Sequence, residues 1–352
     1  MLFYAVNGLG LGHVSRLLAI ARALRRLRPE AECLFLTASE ADWVISREGF
    51  ASFKAPSHTT RARAGLDAAR HARTVQSATW ALVAAFDPHV MVVDTFPAGA
   101  LQELLPLLRW PVNKVFVFRE QQAALAADAF LQEVLGLYQL IIVPHNCGEV
   151  ALPLPLAVPA VWTGPILSRE RAEALPRGEA ERHLGLPPPD GRLRLYINFG
   201  GGGDPQVGPL LRAALAAAAQ FPGLLPVLSP GPLAGAATEP SGALVVRHYP
   251  MAECLAAFDL ALSAAGYNAV HELLHHGVPT AFVPVAKGID DQEARVARAV
   301  AAGAALRADA ATLADALRGL TDAPTRAALA RAARALVPPG GAEAAARAIL
   351  SL

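Results

Sequence analysis

Cysteine is scarce in this sequence: Cys33, Cys147 and Cys254 stand far apart, with no CxxC spacing. That argues against a disulfide framework and a cysteine-based zinc site, and it fits a reducing cytosol. A surplus of either charge is lacking too. Lys and Arg number 31 against 30 Asp and Glu, for a net charge of +1, and no basic stripe stands out. A nucleic-acid partner held by bulk electrostatics is therefore not expected. No apolar run is long enough to span a bilayer, and the opening MLFYAVNGLG has neither the basic region nor the long apolar core of a signal peptide. The expectation is a soluble, cytoplasmic protein, with peripheral contact to the inner membrane face left open. No acidic cluster has metal-ligand spacing, so neither a metal nor a bound cofactor is expected.

Apolar material, by contrast, is plentiful. Hydrophobic residues make up 53% of 352 and charged residues 17%, enough to fill the cores of two domains of ordinary size. The chain is organised around Ser263 to Gln292. There an apolar strand breaks at Gly266, a short helix ends at Gly277, and a second strand runs from Thr280 to Val285. That is a βαβ unit. Gly266, followed by Tyr267 and Asn268, lets a ligand approach the helix start, where unpaired N–H groups and the helix dipole favour a phosphate. Glu272 lies one and a half turns along, and Asp290, Asp291 and Gln292 follow the next strand. Carboxylates of this kind suit the paired hydroxyls of a ribose or hexose.

Earlier in the chain, Leu2 to Val6 reads as a buried parallel strand, followed by a glycine loop with Gly8, Gly10 and Gly12 and then by His13 at a helix start. The GxGxG spacing lacks the third dinucleotide position, and no acidic residue ends the second strand near Thr37, which argues against a classical NAD site. A helix amino terminus lowers an imidazole pKa, so His13 suits a general base. Later strands finish in polar residues: Asp94, Arg119 with Glu120, and His145. In an open parallel sheet such ends line the ligand crevice. Leu101 to Trp110 reads as a buried helix, and Ser39 with Asp42 as a capping box.

A proline-rich segment from Leu152 to Pro165 and a charged helix from Arg169 to His183 divide the chain. The second half restarts as a strand before Gly200, Gly201, Gly202 and Gly203, a plausible phosphate cradle. His248 and Tyr249 form a turn ahead of the Ser263 stretch. The expected fold is α/β, two doubly wound Rossmann-like domains facing across a cleft. The first spans residues 1–160 and the second 161–336.

In these motifs the chain resembles the GT-B glycosyltransferases, and within them the MurG-like group of bacterial enzymes. Gly8 to His13 resembles the amino-terminal glycine loop with its active-site histidine. Arg119-Glu120-Gln121 resembles the group's His-Glu-Gln, with Arg in first place, which leaves Glu120 as the residue carried over. Gly200 to Gly203 resembles the loop opening the carboxyl domain. Gly266-Tyr267-Asn268 resembles the diphosphate loop, Glu272 the ribose-binding glutamate, and Asp291-Gln292 the pair that holds the donor sugar. His248 and Tyr249 fall where the group's backbone holds the nucleotide base. The resemblance also implies that residues 337–352 form a helix packing back on the first domain.

What the resemblance implies is an inverting, metal-independent transfer of a sugar from a nucleoside diphosphate sugar, UDP favoured, to a hydroxyl acceptor that is a small molecule or lipid-linked. His13 or Glu120 would be the base, with Gly10, Gly12, Asp94 and Arg119 on the acceptor side. Two rivals stand beside it: a nucleotide-sugar hydrolase or epimerase with the same donor site, and a non-catalytic nucleotide-sugar binding protein.

Overall fold

Short runs of Leu, Val, Ile and Phe bounded by polar turns make strands buried on both faces, and amphipathic helices between them force parallel pairing. The computed structural model describes residues 1–6, 11–121, 128–152, 156–200, 207–231, 242–285 and 290–352. It divides into two compact units: Met1–Ile166 together with Gly340–Leu352, and Leu167–Pro339.

The first unit holds a seven-stranded sheet in the order β3-β2-β1-β4-β5-β6-β7. Its strands are β1 (Leu2–Ala5), β2 (Leu34–Thr37), β3 (Ala51–Lys54), β4 (Val90–Asp94), β5 (Asn113–Val117), β6 (Leu140–Val143) and β7 (Ala160–Trp162). All pairs are parallel, with Tyr4 of β1 between Leu36 and Val93. The second unit holds six strands in the order β10-β9-β8-β11-β12-β13. These are β8 (Leu193–Asn198), β9 (Leu224–Leu228), β10 (Leu244–Val245), β11 (Leu260–Ala264), β12 (Thr280–Val283) and β13 (Leu306–Arg307). Both are the doubly wound sheets expected. In each, strand order reverses between two central neighbours, β1 with β4 and β8 with β11, and a ligand crevice opens beyond the carboxyl ends of such a pair.

Several local expectations need correction. Leu101–Trp110 is not a helix. It is a run of turns with one 3-10 turn at Leu107–Arg109. Gln102 has a φ of +59°, Pro106 lacks an N–H, and Pro111 holds Trp110 extended at a ψ of 154°. Ser39 caps no helix: its hydroxyl accepts from the Ala41 amide, and the helix begins at Trp43. The charged helix is confined to Arg177–His183, because Pro176 sits at its N-cap with an extended ψ. Three edge strands escaped notice, among them the two-residue β13, too short to carry a pattern. β3 is exposed throughout and so carries no apolar alternation, while β7 follows Pro159 directly, where a strand can tolerate proline before its first residue.

The helix Gly341–Leu350 packs on α1 (Gly12–Leu27) within the first unit. At its start the helix also lies against the Pro165 backbone, where a Cβ on Gly341 would come within 2.1 Å of the carbonyl oxygen. Small residues Ala342, Ala345 and Ala346 fill its buried face with Ile349.

Candidate active site

At the first switch point, α1 begins at the end of the loop after β1, and β4 ends in Asp94. His13 and Arg16 lie three residues apart and so share one helix face. Both turn to Asp94. His13 Nδ1 lies 3.1 Å from Asp94 Oδ1. Arg16 grips the same carboxylate with Nε to Oδ2 and a terminal nitrogen to Oδ1, each 2.8 Å, and the Thr95 hydroxyl adds a third donor at 2.5 Å. All three principal side chains are buried, Asp94 completely. Burial pushes the Asp94 carboxyl up, but Arg16 and His13 outweigh it and hold it well below the usual carboxylate range. An ionised carboxylate only accepts, so Nδ1 of His13 carries the proton and Nε2 is left as a base. Burial lowers the His13 pKa; Asp94 opposes this, while Arg16 and Arg119 add to it. The imidazole is thus neutral at pH 7. Phe96, just past Asp94, stacks on it with ring centroids 5.9 Å apart.

Arg119 and Glu120 follow β5. Arg119 reaches His13 through its charge, and the buried Glu120 is fixed by its backbone N–H, which donates to Nε2 of His145 at 3.1 Å. The structure therefore gathers His13, Asp94 and Arg119, and ties Glu120 to His145. No described atom lies within 4 Å of where a Cβ on Gly12 would stand. Gly10 lies outside the described residues. Arg16 was missed in the sequence, although its i+3 spacing from His13 was visible.

Also in the first unit, a cavity of about 200 Å³ lies beside this cluster, lined by Phe96 and by residues that follow or end β1, β2 and β3. At its floor the Tyr4 hydroxyl donates to Glu103 and accepts from the Ala100 amide at 3.2 Å. Neither Tyr4 nor Glu103 stands out in the sequence as a site residue.

In the second unit the switch-point strands are β8, followed by Gly200, and β11, followed by Gly266. Gly200 has a φ of +116°, a conformation that needs glycine, and its N–H is held by the Asn198 side chain at 2.9 Å. Gly201 and Gly202 lie outside the described residues. Gly266 is the N-cap of the helix Tyr267–His276, with an ordinary φ of −62°. What glycine contributes there is space, since no described atom lies within 4 Å of where its Cβ would be. Asn268, in the first turn, has its Oδ1 buried with no hydrogen-bond partner among the described residues. Such an atom awaits a donor.

On the same helix, Glu272 accepts from the Ser168 hydroxyl at 2.6 Å and from its amide at 3.3 Å. Burial raises the Glu272 pKa, against the pull of these two hydrogen bonds. Tyr267 is flanked by His271, with centroids 4.3 Å apart, and by Arg295, whose guanidinium lies 5.9 Å from the ring centroid. Asp291 caps the next helix through the Ala294 amide at 3.0 Å. Gln292 has partners at both amide ends, accepting from Val285 and donating to Asp290. Arg295, also buried, clasps Asp290 and the Ala265 carbonyl at 2.8 Å each, which ties the residue after β11 to Asp290 ahead of the next helix. Its side chain carries no hint of this in the sequence. Upstream, His248 is held by Glu253 at 3.1 Å and by His183 at 3.3 Å, and Tyr249 precedes Pro250 through a cis peptide bond.

Residues 244–337 match the model of the glycosyltransferase family 28 C-terminal domain. Over 366 aligned positions the chain is 30% identical to the UDP-N-acetylglucosamine–N-acetylmuramyl-(pentapeptide) pyrophosphoryl-undecaprenol N-acetylglucosamine transferase of a Nocardioides species, covering 97% of this chain and 95% of that one. The chain belongs to the MurG-like glycosyltransferases. Among solved structures, the spinosyn rhamnosyltransferase SpnG superposes with a TM-score of 0.65 at 18% identity, covering 100% of both chains. MurG of Acinetobacter baumannii superposes at 0.63 and 16%, covering 100% of this chain and 99% of that one. The fold of this glycosyltransferase is accordingly GT-B. The matched family segment contains Gly266, Glu272, Asp291 and Gln292, one of the regions that carry the resemblance; Gly8 to His13, Arg119 to Gln121 and Gly200 to Gly203 lie outside it. No helix among the described residues is long and apolar enough to cross a membrane.

Proposed function

We propose that this glycosyltransferase moves a sugar, with inversion and without a metal, from a nucleoside diphosphate sugar to a hydroxyl of a small-molecule or lipid-linked acceptor. UDP is favoured as the nucleotide because the relative's name specifies a UDP-sugar donor. The observation that carries the proposal is the buried His13–Asp94–Arg16 cluster. Asp94 fixes the tautomer that leaves Nε2 unprotonated, and burial, against the pull of Asp94, lowers the pKa of the ring. In the proposed step the acceptor oxygen attacks the anomeric carbon while its proton passes to His13 Nε2. The bond from that carbon to the diphosphate breaks, and the nucleoside diphosphate departs with the electron pair.

On this reading residues 1–160 serve the acceptor and residues 161–336 the donor. The amino terminus of the Tyr267–His276 helix, open at Gly266, receives the diphosphate charge in place of a metal. Asn268, Gly200, Gly201 and Gly202 are assigned to the donor with it. Glu272 takes the ribose hydroxyls, Asp291 and Gln292 the sugar, and His248 and Tyr249 the base. Glu120 is the rival base.

Two measurements test the assignment. Isothermal titration with UDP, dTDP and GDP should find one nucleotide that binds in the micromolar range. Glu272→Ala should weaken it about tenfold or more, the size of a hydrogen bond from a charged acceptor. Unchanged affinity for every nucleotide would remove Glu272 from the site. The second is a pH profile. Because the folded His13 pKa is lowered, its base form persists as the pH drops below the ordinary value of about 6.5. The acid limb of kcat/KM should therefore fall below that value. The sign for stability is opposite to that of a paired histidine: the unfolded chain takes up the proton first, so stability declines as pH falls through about 6.5. An acid limb above 7 would exclude His13 as the base.

A further inference from the structure

We propose that the cavity beside His13 binds the acceptor through a compact, uncharged, apolar group of one or two fused rings, and not through a lipid diphosphate. The proposal rests on the glycosyl-transfer reading above and names the acceptor's chemical class.

Size is the first constraint. The cavity is about 200 Å³, and an apolar cavity of about 150 Å³ is enough for benzene. A bicyclic ring fits, whereas a sugar with a peptide does not. Chemistry is the second. The walls are mostly apolar, with Leu36, Ala55, Val75 and Leu101 among them, and no Lys or Arg is among the described lining residues. Its one carboxylate is already committed. Glu103, fully buried, accepts from the Tyr4 hydroxyl and, through its other oxygen, from the Leu101 amide at 2.7 Å. Tyr4 in turn has the Ala100 amide as donor. A diphosphate placed here would meet a buried negative charge, with only the imidazoles of His58 and His71 at the rim to face it and no permanent cation among the described lining residues, a costly arrangement. An apolar ring loses nothing, because the floor groups already satisfy one another.

Position is the third constraint. Phe96 both lines the cavity and stacks on the His13 imidazole. A ring in the cavity therefore lies across Phe96 from the base, and the hydroxyl to be deprotonated is one that the acceptor carries on a substituent reaching past Phe96. The polar rim residues His58 and His71, with ring centroids 5.8 Å apart, suit contacts to neutral substituents.

The test uses 2-naphthol as the ring probe, farnesyl diphosphate as the lipid-diphosphate probe, and UDP as the control, all by titration calorimetry on the full chain. Ala100 is an exposed residue at the rim, and its contribution to Tyr4 is a backbone N–H. Ala100→Trp therefore blocks the mouth without disturbing the core. Wild-type protein should bind 2-naphthol with a Kd on the order of 0.1–1 mM, as expected for a ligand of this size. In Ala100→Trp that affinity should drop at least tenfold with UDP binding unchanged. Farnesyl diphosphate should bind more weakly than 2-naphthol and should not displace it. The proposal is overturned if UDP binds but 2-naphthol does not, if the variant binds 2-naphthol as well as wild type, or if farnesyl diphosphate displaces it. Loss of all nucleotide binding by wild type is a separate result. It would sink the glycosyl-transfer reading, and the assignment of the cavity to an acceptor with it.

Discussion

His13→Ala is expected to yield a folded protein that binds nucleotide as wild type does and turns over about 10²–10⁴ times more slowly, the range for loss of a general base. The separation of the two effects follows from placement. His13 belongs to the first unit, whereas the proposed nucleotide contacts all lie in the second. Its removal also leaves Asp94 with the bidentate Arg16 and the Thr95 hydroxyl, so the fold keeps its buried ion pair. Steady-state kinetics with the best donor, beside calorimetry with the matching nucleotide, decide the matter. Full turnover in the variant would pass the role of base to Glu120, for which Glu120→Gln then becomes the informative substitution.

Asp94→Ala should do more damage, and of a different kind. Arg16 is 1% exposed, and without its partner it becomes an uncompensated buried charge. Breaking such a pair costs about 3–5 kcal/mol, and for a unit the size of the first one each kcal/mol lowers Tm by roughly 2–4 °C. Thermal denaturation should thus show a fall on the order of 10 °C, together with lost activity. The double change Asp94→Leu with Arg16→Met should recover most of the stability and none of the activity, since an apolar pair can replace a buried ion pair but cannot orient His13. If single and double variants melt alike, the buried pair does not hold this part of the fold together. Acid behaviour follows from the same residue. Its folded pKa is depressed, so its stabilisation is complete above the unfolded value of about 3.9 and is lost as pH falls through the lower folded value. Denaturation traced to Asp94 should therefore begin only below about pH 4.

How much of this was legible beforehand differs between backbone and side chains. The doubly wound sheets could be read because buried parallel strands are continuous apolar runs, as in Val90–Val93 and Leu140–Val143. Their polar ends then pointed to Asp94, Glu120 and His145 without any knowledge of contacts. What stayed hidden depends on pairing across long separations. Nothing local to Tyr4 announces Glu103, 99 residues away, and nothing in Glu272 announces Ser168, 104 residues earlier. Arg295 reads as one more helix arginine until it is found buried under Tyr267 and Asp290. The failed helix at Leu101–Trp110 has a different cause. Its apolar composition was read as a helical face, while the left-handed Gln102 and the two prolines set the backbone.

The packing of Gly341–Leu350 on α1 carries a consequence for how the protein is made. The first unit is discontinuous: Met1–Ile166 must wait for Gly340–Leu352 while all of residues 167–339 are synthesised. At ribosomal rates of 5–20 residues per second that delay is on the order of 10–30 s. Throughout it, the face of α1 that the helix later covers has no partner from its own unit. The second unit, contiguous in sequence, suffers no such wait. A newborn chain stalled before Gly340 would thus carry all of the second unit but an unfinished first one. That interval is when a chaperone would find most to hold.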